Sequence, residues 1–204
     1  MIDSIPAVVP AGRMSDCDQP VFGLGLGGGF ELRPWREDDA EVLAESCGDA
    51  DVQRWNRPGQ LTLEEAGAKI EAWRQRWVAE QAAIWAIAPP GEGGPVGLIG
   101  LGDMDLHGGS AEFLYWLLPR GRGHGVMTRA TVRISRWALD DLGLHRLRIT
   151  HSVANPASCQ VATRAGFPLE GTMRSALLHA DGWHDEHLHA RVQGDPWPSS
   201  HGAP

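Results

Sequence analysis

Between Ala111 and Ser152 the chain reads strand, glycine turn, helix, strand, and that order constrains its fold more than any other feature. Ala111 to Leu118 is an apolar and aromatic run that predicts a strand. Leu147 to Ser152 predicts another, and the segment from about Gly125 to Leu142 between them predicts a helix. A strand that returns through a helix makes a βαβ crossover, so the two strands are expected to be parallel neighbours. The turn is Arg120-Gly121-Arg122-Gly123-His124-Gly125, with glycine at every second position. Such a run has no side chains to hold a ligand off the backbone. The unpaired first-turn amides of the next helix then point outward and can cradle phosphate oxygens.

Two common anion loops do not match. A nucleotide P-loop ends in Gly-Lys-Ser/Thr, whereas Gly125 is followed by Val126 and Met127. A dinucleotide fold needs G-x-G-x-x-G and an acid at the end of the next strand, which here ends Thr150-His151-Ser152. The net charge of −8 argues against nucleic acid or an anionic membrane as partner. Against that background Arg120 to Arg148 holds seven arginines and only Asp140 and Asp141. Arg120 and Arg122 lie in the loop itself and suit phosphate attraction. Arg129, Arg133 and Arg136 share one helical face, which fits either phosphate attraction or a solvated surface.

The rest of the chain suits one domain of 204 residues. Residues 1–29 read as a flexible tail ending in a glycine run, 30–193 as the folded domain, and 194–204 as a second flexible tail. Strands are expected at Phe30–Pro34, Ala83–Ala88, Val96–Leu101, Pro168–Met173 and His184–Val192. Helices are expected at Asp38–Cys47, from the Thr62 and Glu65 capping box to about Gln81, and at about Pro156–Ala165. Short polar connections between the middle strands imply antiparallel pairing. Ala66, Ile70, Trp73 and Trp77 recur at helical spacing and read as core. Cys17, Cys47 and Cys159 are odd in number and far apart, which suits a reducing cytoplasm. No basic n-region or long apolar run predicts a secretory signal or a membrane span.

The pattern Q/R-x-x-G-x-G/A, met by Arg120, Gly123 and Gly125, resembles the coenzyme A pyrophosphate loop of the GNAT acetyltransferases. Three further stretches resemble its Rim-type ribosomal-protein N-terminal acetyltransferases. These are Glu112-Phe113-Leu114-Tyr115-Trp116-Leu117-Leu118-Pro119, then Asn155-Pro156-Ala157-Ser158 with Ala165-Gly166-Phe167 and Glu170-Gly171, and Asp181-Gly182-Trp183-His184-Asp185. The family often carries tyrosine where His189 stands. The resemblance implies a GNAT-like α/β (α+β) fold: a mixed, mainly antiparallel sheet of six or seven strands with a central parallel split and helices on both faces.

It also implies acetyl-CoA as co-substrate, held by Arg120, Gly121, Arg122, Gly123, His124, Gly125 and Val126 together with Asn155 and Ser158. Ser158 would stand near the sulfur as proton donor, and a main-chain N–H of Leu117 or Leu118 would face the acyl oxygen. Glu112, the only acid in its strand, is the candidate general base. The expected partner is an amine, read first as a protein or peptide N-terminus, with direct transfer in a ternary complex. A homodimer is open, as Rim-like relatives often pair. The rivals are a small-molecule acetyltransferase for an antibiotic or polyamine, and an acyl-CoA sensor without turnover. No metal site is expected. His187 and His189 share a strand face, but His184 does not, and no cysteine is expected to join them. Cys159 is adjacent to Ser158 and reads as a packed thiol.

Overall fold

Eight strands form one sheet in the order β1-β2-β3-β4-β5-β6-β8-β7 in the computed structural model, which describes residues 5–25 and 29–198. The strands are β1 (Phe22–Gly23), β2 (Glu31–Pro34), β3 (Ala83–Ala88), β4 (Gly97–Asp105), β5 (Ser110–Leu117), β6 (Arg146–Ser152), β7 (Leu169–His179) and β8 (Gly182–Val192). All neighbours are antiparallel except β5 and β6. The predicted crossover therefore forms as expected. β3 is buried at every position, so it shows a continuous apolar run rather than the alternation of a half-exposed strand.

The helices are α1 (Ala40–Ser46), α2 (Ala50–Asn56), α3 (Leu63–Val78), α4 (Val126–Arg136) and α5 (Pro156–Arg164). Thr62 and Glu65 close the capping box at the start of α3, as the sequence predicts. α4 runs on into a wider π-helical turn, Trp137–Leu142, that stops at Gly143 in the left-handed region (φ 94°). Two apolar clusters form. One includes Trp77, Trp85, Trp137, Ile134 and Phe167; the other, under α1 and α3, includes Trp35, Leu43, Ala66 and Ile70. Trp73 packs at a tilt against Trp35, ring centroids 5.5 Å apart, so the tryptophans of α3 pack rather than bind.

The structure corrects the sequence reading in three places. α2 was not foreseen: it is seven residues long and buries only Val52, so periodicity gives almost no signal. The visible signal is Asp49, whose carboxylate accepts from the amides of Asp51 and Val52. The segment before Phe30 is not a loose tail over its described residues. Val9, Met14, Phe22 and Leu24 are buried, and β1 adds the eighth strand. The Trp77 and Trp85 indoles donate to the carbonyls of Cys17 and Pro20, and Glu80 accepts from the amides of Gly12, Met14 and Ser15. Residues 26–28 of the glycine run lie outside the described residues.

The third correction concerns the second tail, which is anchored as far as it is described. Arg191 lies 3.8 Å from the Trp197 ring, and Asp195 accepts from the Val192 amide. Residues 199–204 lie outside the described residues.

Candidate active site

β5 and β6 pair only over Ser110↔Arg146, Ala111↔Leu147 and Glu112↔Arg148, then diverge. The divergence opens a wedge at the sheet centre. The Leu118 amide donates to Val96 across the β4 side (2.8 Å), so by the alternation of an antiparallel ladder the Leu117 amide faces the wedge. Of the two expected donors, Leu117 is thus free to meet an acyl oxygen and Leu118 is not.

The glycine loop closes the wide end of the wedge. Gly123 (φ 83°) and Gly125 (φ 63°) occupy the left-handed region, which side-chain-bearing residues adopt at a cost, and Gly123 has open space around it. Gly121 serves packing instead: it is buried, and a Cβ there would meet Val96 at 3.0 Å. No side chain caps α4. Among the described residues the amides of Gly123, His124, Gly125, Val126, Met127 and Thr128 have no acceptor, the first closed bond being Arg129 to Gly125. Val126 is buried and anchors the helix start, while His124 is exposed.

The arginines are placed otherwise than charge alone suggests. Arg120 pairs with Glu45 (2.7 Å) and the Pro95 carbonyl; Arg122 pairs with Asp49 (2.7 Å), Asp51 (2.6 Å) and the Leu117 carbonyl. They brace the loop against α1 and α2. Arg133 stacks on Phe22 and Arg136 on Trp197. Arg129 differs. Its Nη1 donates to His124, but its buried Nε and Nη2 have no partner among the described residues. Unpaired main-chain amides beside an unpartnered guanidinium fit a pyrophosphate, so the residues present suit coenzyme A.

Two cavities, of about 310 and 630 Å³, meet in the wedge. The smaller lies on the loop side against Leu117, Arg122, Met127 and Val161; the larger holds Glu112, Arg148, His179 and Glu186. Tyr115, Asn155 and Ser158 line both, with Trp55 and Asn56 of α2. The Asn155 side chain caps α5 by accepting from the Ser158 amide. The Ser158 hydroxyl lies 2.7 Å from that of Tyr115. Burial pushes the Tyr115 phenol up to about 12, so it keeps its proton throughout the working range.

Glu112 stands in the larger cavity, but its oxygens are engaged by Arg148 Nε (2.6 Å) and the Thr150 hydroxyl. Glu186 was missed by the sequence reading. It is buried and holds its carboxyl above the ordinary range, through burial first and the nearby Glu112 charge second. Its only sequence signal was alternation along β8, which puts Glu186 and His184 on the face opposite Asp185. His184 bonds Ser152 (2.7 Å) and Asp181 (2.8 Å), away from His187 and His189.

Among the described residues no helix is long and apolar enough to cross a membrane. The family model for an acetyltransferase (GNAT) domain matches residues 30–168. A Bacillus subtilis protein, YdaF, described as a candidate ribosomal N-acetyltransferase, is 30% identical over 173 residues, covering 81% of this chain and 92% of its own. The ribosomal-protein-S5-alanine acetyltransferase of Vibrio fischeri shares the fold with a TM-score of 0.75 at 19% identity, over 85% of this chain and 98% of its own. Mycobacterium smegmatis RimJ, solved with a CoA disulfide, gives 0.73 at 21% identity, over 85% and 88%. The split sheet, the open amide loop and these matches lead to one conclusion: the chain belongs to the GNAT family and is an acetyl-CoA-dependent N-acetyltransferase.

Proposed function

We propose that the acceptor is the α-amine of a protein or peptide N-terminus, acetylated by direct attack within a ternary complex. The observation that carries this reading is the junction of two cavities at Ser158 and Tyr115, with the anion loop on one side and a buried glutamate on the other. Acetyl-CoA supplies the activated acetyl group as a thioester. The amides from Gly123 to Thr128, with Arg129, would hold its phosphates, and Asn155 would orient the chain leading to the thioester. The Leu117 amide would donate to the acyl oxygen as charge develops there.

On the acceptor side, Glu186 takes the amine proton. An α-amine with a reference pKa of about 7.7–8 needs only a modest base, and a carboxyl raised by burial is better matched to it than one locked to arginine. Glu112 then acts through its charge on Glu186, while Arg148 and Thr150 fix its position. On the leaving side, Tyr115 donates to the Ser158 oxygen, which frees the serine hydrogen for the departing sulfur.

Charge in the larger cavity separates the acceptor classes. Glu112 and Glu186 are balanced by Arg57 and Arg148, a poor lining for a polycationic drug or polyamine. The names of the B. subtilis and V. fischeri relatives point to ribosomal-protein termini and support the same reading. The test is a thiol-release screen of N-terminal peptides, N-terminally blocked lysine peptides, aminoglycosides and polyamines. Free α-amines are expected to lead blocked lysine peptides by at least ~100-fold near pH 7.5, since far less of a lysine amine is neutral there. Faster turnover of an aminoglycoside or polyamine would overturn the acceptor, and coenzyme binding with no turnover of any amine would return the sensor reading.

A further inference from the structure

β6, β8 and α5 converge on a group of side chains that the transfer reaction does not use. His151 of β6 sits directly across from His187 of β8, and His189 follows two residues on, on the same face. Cys159 joins them from the first turn of α5. Cys159 is remote in sequence from His187 and His189, and the fold brings it to them, against the expectation that no cysteine joins these histidines. One ligand atom from each of the four residues lies within 4.8 Å of all the others. His151 and His189 are buried, at 5% and 2% exposure.

The hydrogen bonding around the group is informative. His151 Nδ1 lies 2.8 Å from the Ser152 carbonyl and His189 Nδ1 lies 3.0 Å from the Phe167 carbonyl. A carbonyl oxygen only accepts, so both rings carry their proton on Nδ1 and present a bare lone pair at Nε2. Those two Nε2 atoms and His187 Nδ1 are buried and have no hydrogen-bond partner among the described residues. The Cys159 S–H is a single weak donor and cannot satisfy both bare Nε2 lone pairs at once. An imidazole that donates one N–H to a carbonyl and turns its other nitrogen to a shared point has the orientation found in metal-ligating histidines.

We propose that His151, Cys159, His187 and His189 form a closed four-ligand site for a divalent transition metal, best matched by Zn2+. Three imidazoles and a thiol offer no oxygen ligand, which disfavours Mg2+ and Ca2+. Tetrahedral Zn–N and Zn–S bonds of about 2.0–2.3 Å require ligand atoms about 3.3–3.7 Å apart, so side-chain rotations of about 1 Å complete the site. The Zn–S bond forms as the Cys159 S–H bond breaks, and that proton passes to solvent. The three neutral imidazoles bind through lone pairs with no proton change. With all four positions taken by protein, the metal holds structure rather than activating water. It would pin α5, one residue beyond Ser158, to β6 and β8.

The test uses the full-length chain, stripped with a chelator and titrated with Co2+ alone, then with Zn2+. One equivalent of Co2+ is expected to bind with the intense visible bands of a tetrahedral ion and a thiolate-to-metal charge-transfer band, and Zn2+ is expected to displace it. Cys159→Ser should lose the charge-transfer band, while Cys17→Ser, which alters an exposed thiol, should keep it. His187→Ala should weaken Zn2+ by more than ~100-fold, since loss of a ligand exceeds the 10–100-fold effect of outer partners. Far-UV circular dichroism checks that each variant folds. Wild-type protein that takes up no stoichiometric Co2+, or a thiolate band that survives in Cys159→Ser, would overturn the proposal. No turnover is measured, so the outcome is separate from that of the acceptor screen.

Discussion

Ser158→Ala removes one oxygen from the point where the two cavities meet, and its cost follows from what that oxygen touches. It is the hydrogen-bond partner of the Tyr115 hydroxyl at 2.7 Å, on a residue 7% exposed. Leaving a buried hydroxyl unpaired costs about 1–3 kcal/mol, and since Tyr115 also lines the cavities, water can re-satisfy it and favours the low end. Near 1 kcal/mol, a chain of this size loses roughly 2–4 °C in Tm. The rate effect should be far larger. Loss of a positioned proton donor costs about 10²–10⁴-fold in kcat, equivalent to about 2.7–5.5 kcal/mol in the barrier. Thiol release under saturating acetyl-CoA and peptide reads kcat, and a melt reads stability. Tyr115→Phe closes the cycle. If the phenol acts by donating to Ser158, its loss slows the wild type but adds little once Ser158 is alanine, a coupling of about 0.5–3 kcal/mol. Ser158→Ala within about threefold of wild type, or full additivity of the pair, would refute the relay.

Glu186→Gln should lower kcat by about 10²-fold or more while raising the Tm near pH 8. Because its folded-state carboxyl is raised above the unfolded value, the charged form opposes folding above the folded pKa. The Tm gain should therefore shrink as pH falls toward about 4, which melts across pH would show. Glu80 has the opposite sign. Burial pushes its carboxyl up, but the amides of Met14, Gly12 and Ser15 outweigh that and leave it lowered. Its support for the N-terminal segment is present above about pH 4.3 and lost as pH falls through the folded value; limited proteolysis should show that segment opening in acid, and in Glu80→Gln already at neutral pH. Asp39→Ala strands Arg33, which it holds by two bonds of 2.7 and 2.9 Å in the interior, and should cost about 3–5 kcal/mol in denaturant melts.

The β5–loop–α4–β6 crossover was legible because it is local: hydrophobic runs, three glycines and a helix follow one another within a few dozen residues. The roles of the loop arginines were not. Their partners, Glu45, Asp49 and Asp51, lie over 70 residues away, so proximity to phosphate could not be told from bracing of α1 and α2. Glu186 and Tyr115 were hidden for a related reason. Alternation says which face of a strand a residue takes, but not that β5 and β6 part nearby and open a cavity that both side chains line. Glu112 was visible as a lone acid in its strand, whereas the Arg148 opposite it became evident only with the parallel register.

The N-terminal segment shows where composition misleads. Glycine raises the entropy cost of ordering and proline interrupts helices and strand ladders, which is why residues 1–29 read as a tail. Yet Val9, Met14, Phe22 and Leu24 are all buried, at intervals of no fixed period. A segment that wraps around a domain meets a new surface at each anchor, so its pattern follows the receiving side chains and not its own helix or strand. Those receivers are Trp77 and Trp85, whose indole N–H groups need acceptors once buried, and Glu80 at φ 57°, a left-handed position that turns its carboxylate to three backbone amides. β2 would otherwise present a bare edge at this end of the sheet. A two-residue β1 covers it while offering almost no template for another chain. The segment is therefore ordered by what it satisfies on α3 and β3, and deleting it should expose two buried tryptophans rather than trim a loose end.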